Sequence, residues 1–406
     1  MIKETKKAPI IRFREFTDDW EQRKFDEIAS RESSTGMSSE ILPSVEYEDV
    51  ISEVGQLNKD IAEKAVHKKG IKFDKIHVLY GKLRPYLHNW INPRFKGIAV
   101  GDWWVLKPVA TDKDFLYRLI QTKQFDDIAN LSTGSKMPRA DWNLVSKSEF
   151  MIPGELKEQH LIGQCFSNLD NLITLHQRKL DQLKTLKKYF LQNMFTAKGE
   201  KVPRIRFKGF TGDWEQRKLV DIATMHARIG WQNLRTSEFL DDGDYYLITG
   251  TDFKDGRIDF SSCHYVAKER YDQDKNIQIH NGSILITKDG TLGKVAYISG
   301  LNKPATLNAG VFNVVIKAND VDEKYLYHYL AGPFLMDYVS KRATGGTIKH
   351  LNQNILVDFP VVLPSYDEQK KIGETLQDLD NLITLHQRKL DQLQTMKKFM
   401  LQNMFI

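Results

Sequence analysis

Cysteine is scarce: Cys165 and Cys263 are the only two in 406 residues, too few for a disulfide framework, and no Cys/His cluster has the spacing of a zinc site. Both are expected to be core thiols. Long apolar runs are missing as well. Nowhere do roughly 18 apolar residues run together, and the opening MIKETKKAPIIRF is basic without the continuous apolar stretch of a signal peptide, so a cytoplasmic protein outside the membrane is expected. Nor does one sign of charge dominate. Lys and Arg number 59 against 53 Asp and Glu, a formal net charge of +6, and with 41% hydrophobic and 28% charged residues wholesale disorder is excluded. At about 150 residues per domain, the length implies two or three domains, each able to bury a core.

The weak positive balance favours a polyanionic partner only where it is concentrated. From Glu63 to Lys107 there are ten Lys/Arg against three Asp/Glu, interleaved with Tyr80, Tyr86, Trp90, Trp103 and Trp104. Such a stretch suits nucleic acid, and equally suits a solvated lysine-rich edge over a tryptophan-containing core.

Self-similarity organises the chain. Leu169 to Phe195 (LDNLITLHQRKLDQLKTLKKYFLQNMF) and Leu379 to Phe405 (LDNLITLHQRKLDQLQTMKKFMLQNMF) differ at four of 27 positions: Lys184/Gln394, Leu186/Met396, Tyr189/Phe399 and Phe190/Met400. A second repeat leads each half, PIIRFREFTDDWEQRKF from Pro9 to Phe25 and PRIRFKGFTGDWEQRKL from Pro203 to Leu219. The blocks between, Asp26 to Pro153 and Val220 to Pro364, share little obvious identity. The chain is a tandem of leading motif, divergent block and nearly invariant tail.

Apolar residues at Leu169, Ile173, Leu180, Leu183, Phe190 and Met194, widened by Leu172 and Leu186, make each tail an amphipathic helix, with Gln177, Arg178 and Gln182 facing outward. Ser365 and Glu368 after Pro364 offer a capping box, and Pro153-Gly154 marks the matching start. Each helix then runs about 38 residues, near 57 Å. A helix this long needs a partner helix. His176 with Lys187, and His386 with Lys397, interrupt the seam and are read as register-fixing, not as ligands or catalysts. Two identical surfaces suit each other or two copies of one partner, while two divergent blocks suit two different targets. Double-stranded DNA carrying two sequence elements at fixed separation fits that pattern.

In the second block Tyr245–Gly250, Ser283–Thr287 and Val311–Ile316 read as strands, punctuated by Asp255-Gly256, Asn281-Gly282 and Asp289-Gly290 turns. Glu323 to Ser340 is helical, interrupted at Gly332-Pro333. In the first block Ile76–Tyr80, Ile98–Val100 and Trp103–Leu106 read as strands, and Asp114 to Ile128 as the matching helix. The blocks look like one mixed α/β fold with two surfaces. After each helix comes a loop of glycine, hydroxyl and basic residues, Ser132 to Arg139 and Lys341 to Lys349, suited to phosphate oxygens. The segments Gly81 to Tyr86 and Lys288 to Lys294 each follow a strand, and Arg84 can address guanine O6/N7 or a phosphate. The candidate DNA-binding residues are therefore Lys82, Arg84, Tyr86, Lys136, Arg139, Lys288, Thr291, Lys294, Arg342, Thr344, Gly345, Gly346 and Lys349.

FTDDWEQRK (Phe16 to Lys24), FTGDWEQRK (Phe210 to Lys218), GKLRPYL, SILITKDGTLGKVAYI, the Thr344 to Gly346 TGG loop and LPSYDEQKKI (Leu363 to Ile372) together resemble the specificity (S) subunit of type I restriction-modification systems. The resemblance covers essentially the whole chain. It implies an α+β protein with two target recognition domains, each reading one half of a bipartite site, separated by two long antiparallel conserved helices. The expected division is 1–153, 154–196, 197–364 and 365–406: first recognition domain, central helical region, second recognition domain, C-terminal helical region. Two methyltransferase subunits would bind through the helical regions, restriction subunits would join them, and all catalysis would lie in those partners, with no cofactor or metal on this chain. In keeping with that, no Asn/Asp-Pro-Pro-Tyr/Phe motif occurs. Gly290 to Val295 fails as a P-loop, because a glycine is needed at Lys288 and Ser/Thr at Val295. Asp252-Phe253-Lys254 and His88-Asn89 match only fragments of nuclease motifs. The competing reading is a coiled-coil assembly adaptor binding two different proteins. A nuclease using Asp252 or His88 is a third.

Overall fold

The computed structural model describes residues 8–61, 67–131, 137–197, 199–289, 292–342 and 351–406. The chain divides into two compact units, residues 1–178 with 387–406 and residues 179–386, so each long helix begins in one unit and ends in the other. The helices are Leu156–Asn193 and Tyr366–Asn403, 38 residues apiece.

Each unit is assembled in the same order. In the first, the strand Glu21–Lys24 of the leading motif pairs antiparallel with Glu149–Ile152, the strand that feeds the long helix. In the second, Glu215–Lys218 pairs with Pro360–Leu363 in the same way. The DWEQRK repeat is thus a clasp that closes each block on itself. Arg12 grips Glu158 on the long helix through two bonds of 2.7 and 2.9 Å, and Arg206 grips Glu368 through two of 2.8 Å. Glu368 therefore does not turn back to close a capping box on Ser365. Both of its oxygens are taken by a guanidinium brought 162 residues along the chain.

Between clasp and helix lie two four-stranded sheets per unit. Val78–Gly81 and Trp103–Pro108 are the inner pair of one sheet, and Ile284–Thr287 with Val311–Ile316 are their counterparts. Side chains alternate across a strand, so Val78 and Tyr80 enter the core beneath the long helices while Leu79 enters the core shared with the other sheet. Ile284, Ile286 and Leu285 repeat that split. Continuous apolar runs such as ILIT are what a strand buried on both faces requires. The expected first-block helix is two helices, Lys113–Leu119 and Lys123–Ala129, because Thr122 accepts from the Phe125 N–H and starts a new one. Cys263 lies in a core, whereas Cys165 is only partly buried on the first long helix.

Within the first unit the long helices run antiparallel: Phe166 meets Phe405 at 6.2 Å between ring centres and Lys397 reaches Asp170 at 2.7 Å. Lys187 reaches Asp380 at 2.5 Å in the second unit. The lysines read as register-fixing are therefore anchored to carboxylates. Each helix also carries an interior glycine, unfavourable there by about 1 kcal/mol against alanine. A Cβ at Gly163 would lie 2.7 Å from Asp114 Cβ and 2.9 Å from the Phe115 amide, and one at Gly373 would lie 2.7 Å from the Tyr325 amide. Only hydrogen lets the block helix seat its first turn on the long helix.

Candidate nucleic-acid interface

Beyond Gly81 the chain leaves its strand but keeps hydrogen bonding. The Lys82 amide donates to the Asp102 carbonyl at 2.9 Å, Ala140 N–H donates to the Lys82 carbonyl at 2.8 Å, and Arg84 N–H to the Pro138 carbonyl at 2.7 Å. These bonds, with the Leu83–Arg139 bridge, bring the GKLRPY segment and the end of the Ser132–Arg139 loop into one corner. Tyr47 ties it down, its hydroxyl accepting from Leu83 N–H at 2.9 Å and donating to the Asp102 carbonyl at 2.7 Å. Burial raises the Tyr47 pKa far above its usual 10, so the hydroxyl stays protonated.

Three of the candidates gather here. Asp102 accepts from Arg139 Nη2 at 3.1 Å and Nε at 3.3 Å and lies 3.5 Å from Lys82 Nζ. The hydrogen bonds from Arg139 are the chief reason the Asp102 carboxyl titrates below the ordinary aspartate range. Arg84 adopts left-handed φ of 49°, a strained conformation for a residue with a Cβ, and its buried Nε lacks a partner. Tyr86 projects from the following turn, 53% exposed.

The second unit builds the same corner with different side chains. Lys288 N–H donates to the Gly310 carbonyl at 2.9 Å, and Leu351 N–H donates to the Lys288 carbonyl at 2.8 Å, the bonds that Lys82, Asp102 and Ala140 make in the first unit. Lys288 and Asp102 thus have their counterparts in Lys82 and Gly310. With no carboxylate at Gly310, Lys288 lies over the Phe312 ring, 5.6 Å from its centre, beside a cavity of about 410 Å³ lined by Arg228, Asp289, Leu351 and Gln353. Lys294, in the hairpin after the strand, exchanges backbone and hydroxyl bonds with Thr287 and leaves its side chain exposed. Arg342 is not part of this corner. Its guanidinium stacks 3.8 Å over Tyr338 and lines a separate cavity of about 750 Å³ with Lys201 and Trp214. Lys136, Thr291, Thr344, Gly345, Gly346 and Lys349 lie outside the described residues.

Asp102 and Tyr47 escaped the sequence reading. The available signal was that Asp102 is one of only three acids in the Glu63–Lys107 stretch and sits at a Gly-Asp turn entering a strand. The nuclease fragments have structural duties instead. Asp252 is buried and caps a short turn by accepting from Thr249 N–H at 2.7 Å, and His88 lies between Asp126 at 3.0 Å and Glu53 at 3.4 Å. Among the described residues no group of three or more His, Cys, Asp or Glu is placed to hold a metal ion. No helix among them is long and apolar enough to cross a membrane.

The family model for the type I restriction modification DNA specificity domain matches residues 17–185 and again 211–395, one copy for each half. The chain belongs to that family. Among its relatives, the type I restriction enzyme MjaVIII specificity subunit of Methanocaldococcus jannaschii is 24% identical over 312 residues, 75% of this chain and 72% of that protein. The EcoBI specificity subunit of Escherichia coli is 26% identical over 242 residues, 55% of this chain and 50% of that one. The fold matches the crystal structure of a type I restriction-modification S subunit from M. genitalium at a TM-score of 0.67 and 14% identity, over 98% of this chain and 99% of that one. This chain is a sequence-specific double-stranded DNA recognition subunit of a type I restriction-modification complex. It directs methylation and restriction by partner subunits.

Proposed function

We propose that each unit reads one half of a bipartite DNA site in the cytoplasm, with target recognition domains at 1–153 and 197–364 and helical regions at 154–196 and 365–406. The single observation that supports this most strongly is the corner built twice. One backbone hydrogen-bond frame carries Lys82, Arg84 and Arg139 in one unit and Lys288 in the other. Affinity would come from Lys and Arg on phosphates and sequence choice from groove contacts.

The long helices would serve as spacer, with half-site centres about one duplex turn, roughly 34–36 Å, apart. They would also dock two copies of one methyltransferase subunit. Leu172, Leu175, Leu186 and Tyr189 are exposed on the first helix, and Leu382, Leu385, Met396 and Phe399 at the matching positions of the second, giving the same uncovered apolar face twice. Restriction subunits would join that assembly.

Salt titration of binding to duplex DNA tests the reading. A DNA reader loses affinity steeply with salt as counterion release weakens. No binding at any salt would favour an assembly adaptor. Inserting one helical turn in both Leu169–Phe195 and Leu379–Phe405 should change the preferred spacer and keep both half-sites. Altered half-sites at unchanged spacing would refute the spacer role.

A further inference from the structure

A carboxylate in a cationic corner facing a polyanion is costly unless it does something for the cations. We propose that Asp102 is a specificity-determining positioning residue: it buttresses Arg139 so that the guanidinium addresses a guanine in the first half-site. This rests on the reading of the corner as a DNA-reading surface.

The geometry supports it in three ways. Arg139 gives one edge, Nε and Nη2, to Asp102 at 3.3 and 3.1 Å, which leaves Nη1 and the second Nη2 hydrogen as a two-donor edge. That pair matches guanine O6 and N7 in the major groove. The buttress is itself fixed: the Asp102 carbonyl is bonded by Lys82 N–H and by the Tyr47 hydroxyl, so its carboxylate cannot follow a wandering arginine. Arg139 is 53% exposed on its side chain and so is open to a ligand. The negative charge has a second effect. Lys82 and Arg139 carry two positive charges and Asp102 cancels one, which weakens attachment to any phosphate while leaving directional hydrogen bonds intact. Non-specific affinity scales with phosphates neutralised, so the ratio of specific to non-specific binding rises. In the second unit Gly310 stands at this place, and the carboxylate beside it comes from another position: Asp289 Oδ2 lies 3.8 Å from where a Gly310 Cβ would be.

The test uses the assembled complex and duplexes carrying its mapped site, with each guanine of the first half replaced in turn by 7-deazaguanine, which lacks the N7 acceptor. The unmodified complex should lose about tenfold in affinity at one position. Asp102→Asn should shrink that discrimination to about twofold and tighten binding to random duplex several-fold. It should leave discrimination in the second half-site unchanged. Arg139→Lys, which keeps the charge and loses the planar fork that Asp102 holds, should likewise shrink the 7-deazaguanine effect, and it serves as the second variant if Asp102→Asn fails to fold by thermal unfolding. Full discrimination in either variant, or no 7-deazaguanine effect in the unmodified complex, would overturn the proposal and leave the half-site reading standing. Loss of all preference for the first half-site over a scrambled one in the unmodified complex would sink that reading itself.

Discussion

In the first unit Asp170 on the long helix is held from two sides, by Arg118 at 2.8 Å and Lys397 at 2.7 Å. In the second, Asp380 has Lys187 at 2.5 Å, and where Arg118 stands six residues beyond the capping Asp112, His328 stands six beyond Asp322. His328 is fully buried, 4.0 Å from Asp380, with no hydrogen-bond partner on either ring nitrogen. Burial, helped by the Lys187 charge, drives its pKa well below 6.5, so the ring is neutral and the contact is not an ion pair. The Asp380 carboxyl is pushed up by the same desolvation. One backbone frame therefore seats its block on the helices by charge in one unit and largely by packing in the other. The scaffold specifies positions, and the chemistry at each position is left to vary.

The largest effect should come from removing the twice-held carboxylate. Asp170→Ala leaves Arg118 charged and buried without its partner and should cost about 3–5 kcal/mol in urea unfolding, against about 1–2 kcal/mol for Asp380→Ala, whose carboxylate is already poorly solvated. Equal losses would break the comparison. Next come the seats of the block helices: Gly163→Ala or Gly373→Ala should each cost about 1–3 kcal/mol through overpacking, although alanine is the better helix former.

A pH difference should follow. Below 6.5 an unfolded chain protonates His328 while the folded unit resists, so this stability is full above 6.5 and falls as pH drops below it. From pH 7 to pH 5.5 the second unit should lose about 1 kcal/mol. His328→Leu should remove that slope, measured by denaturant midpoints across the range, and an unchanged slope would refute the assignment. The smallest contrast lies in the clasps. Trp20 Nε1 donates to Glu158 at 3.3 Å whereas Trp214 Nε1 has no partner, so Trp20→Phe should cost about 1 kcal/mol more than Trp214→Phe.

Legibility followed the range of the interactions. The tandem repeats, the long helices, the strand Val311–Ile316 and the Asp255-Gly256 turn, with φ of 49° and 80°, rest on local pattern and were readable. The break between Leu119 and Lys123 was not, since no glycine or proline marks it and only Thr122 does the work. The clasp was visible as a repeat and opaque as a contact, because Arg12 meets Glu158 across 146 residues. Part of the corner shares that limit: Tyr47 and Asp102 are joined over 55 positions. The loop residues of the candidate site were chosen by composition, which says nothing of their neighbours: Lys82, Arg84 and Arg139 share one corner, whereas Arg342 stacks on Tyr338.

Exchanging residues 220–364 for the corresponding block of a relative, then mapping methylated bases in cells carrying the complex, tests the division of labour most directly. One half of the recognised site should change, with the other half and the spacer between them retained. Change in both halves, or in neither, would contradict two independently reading units on a common pair of helices.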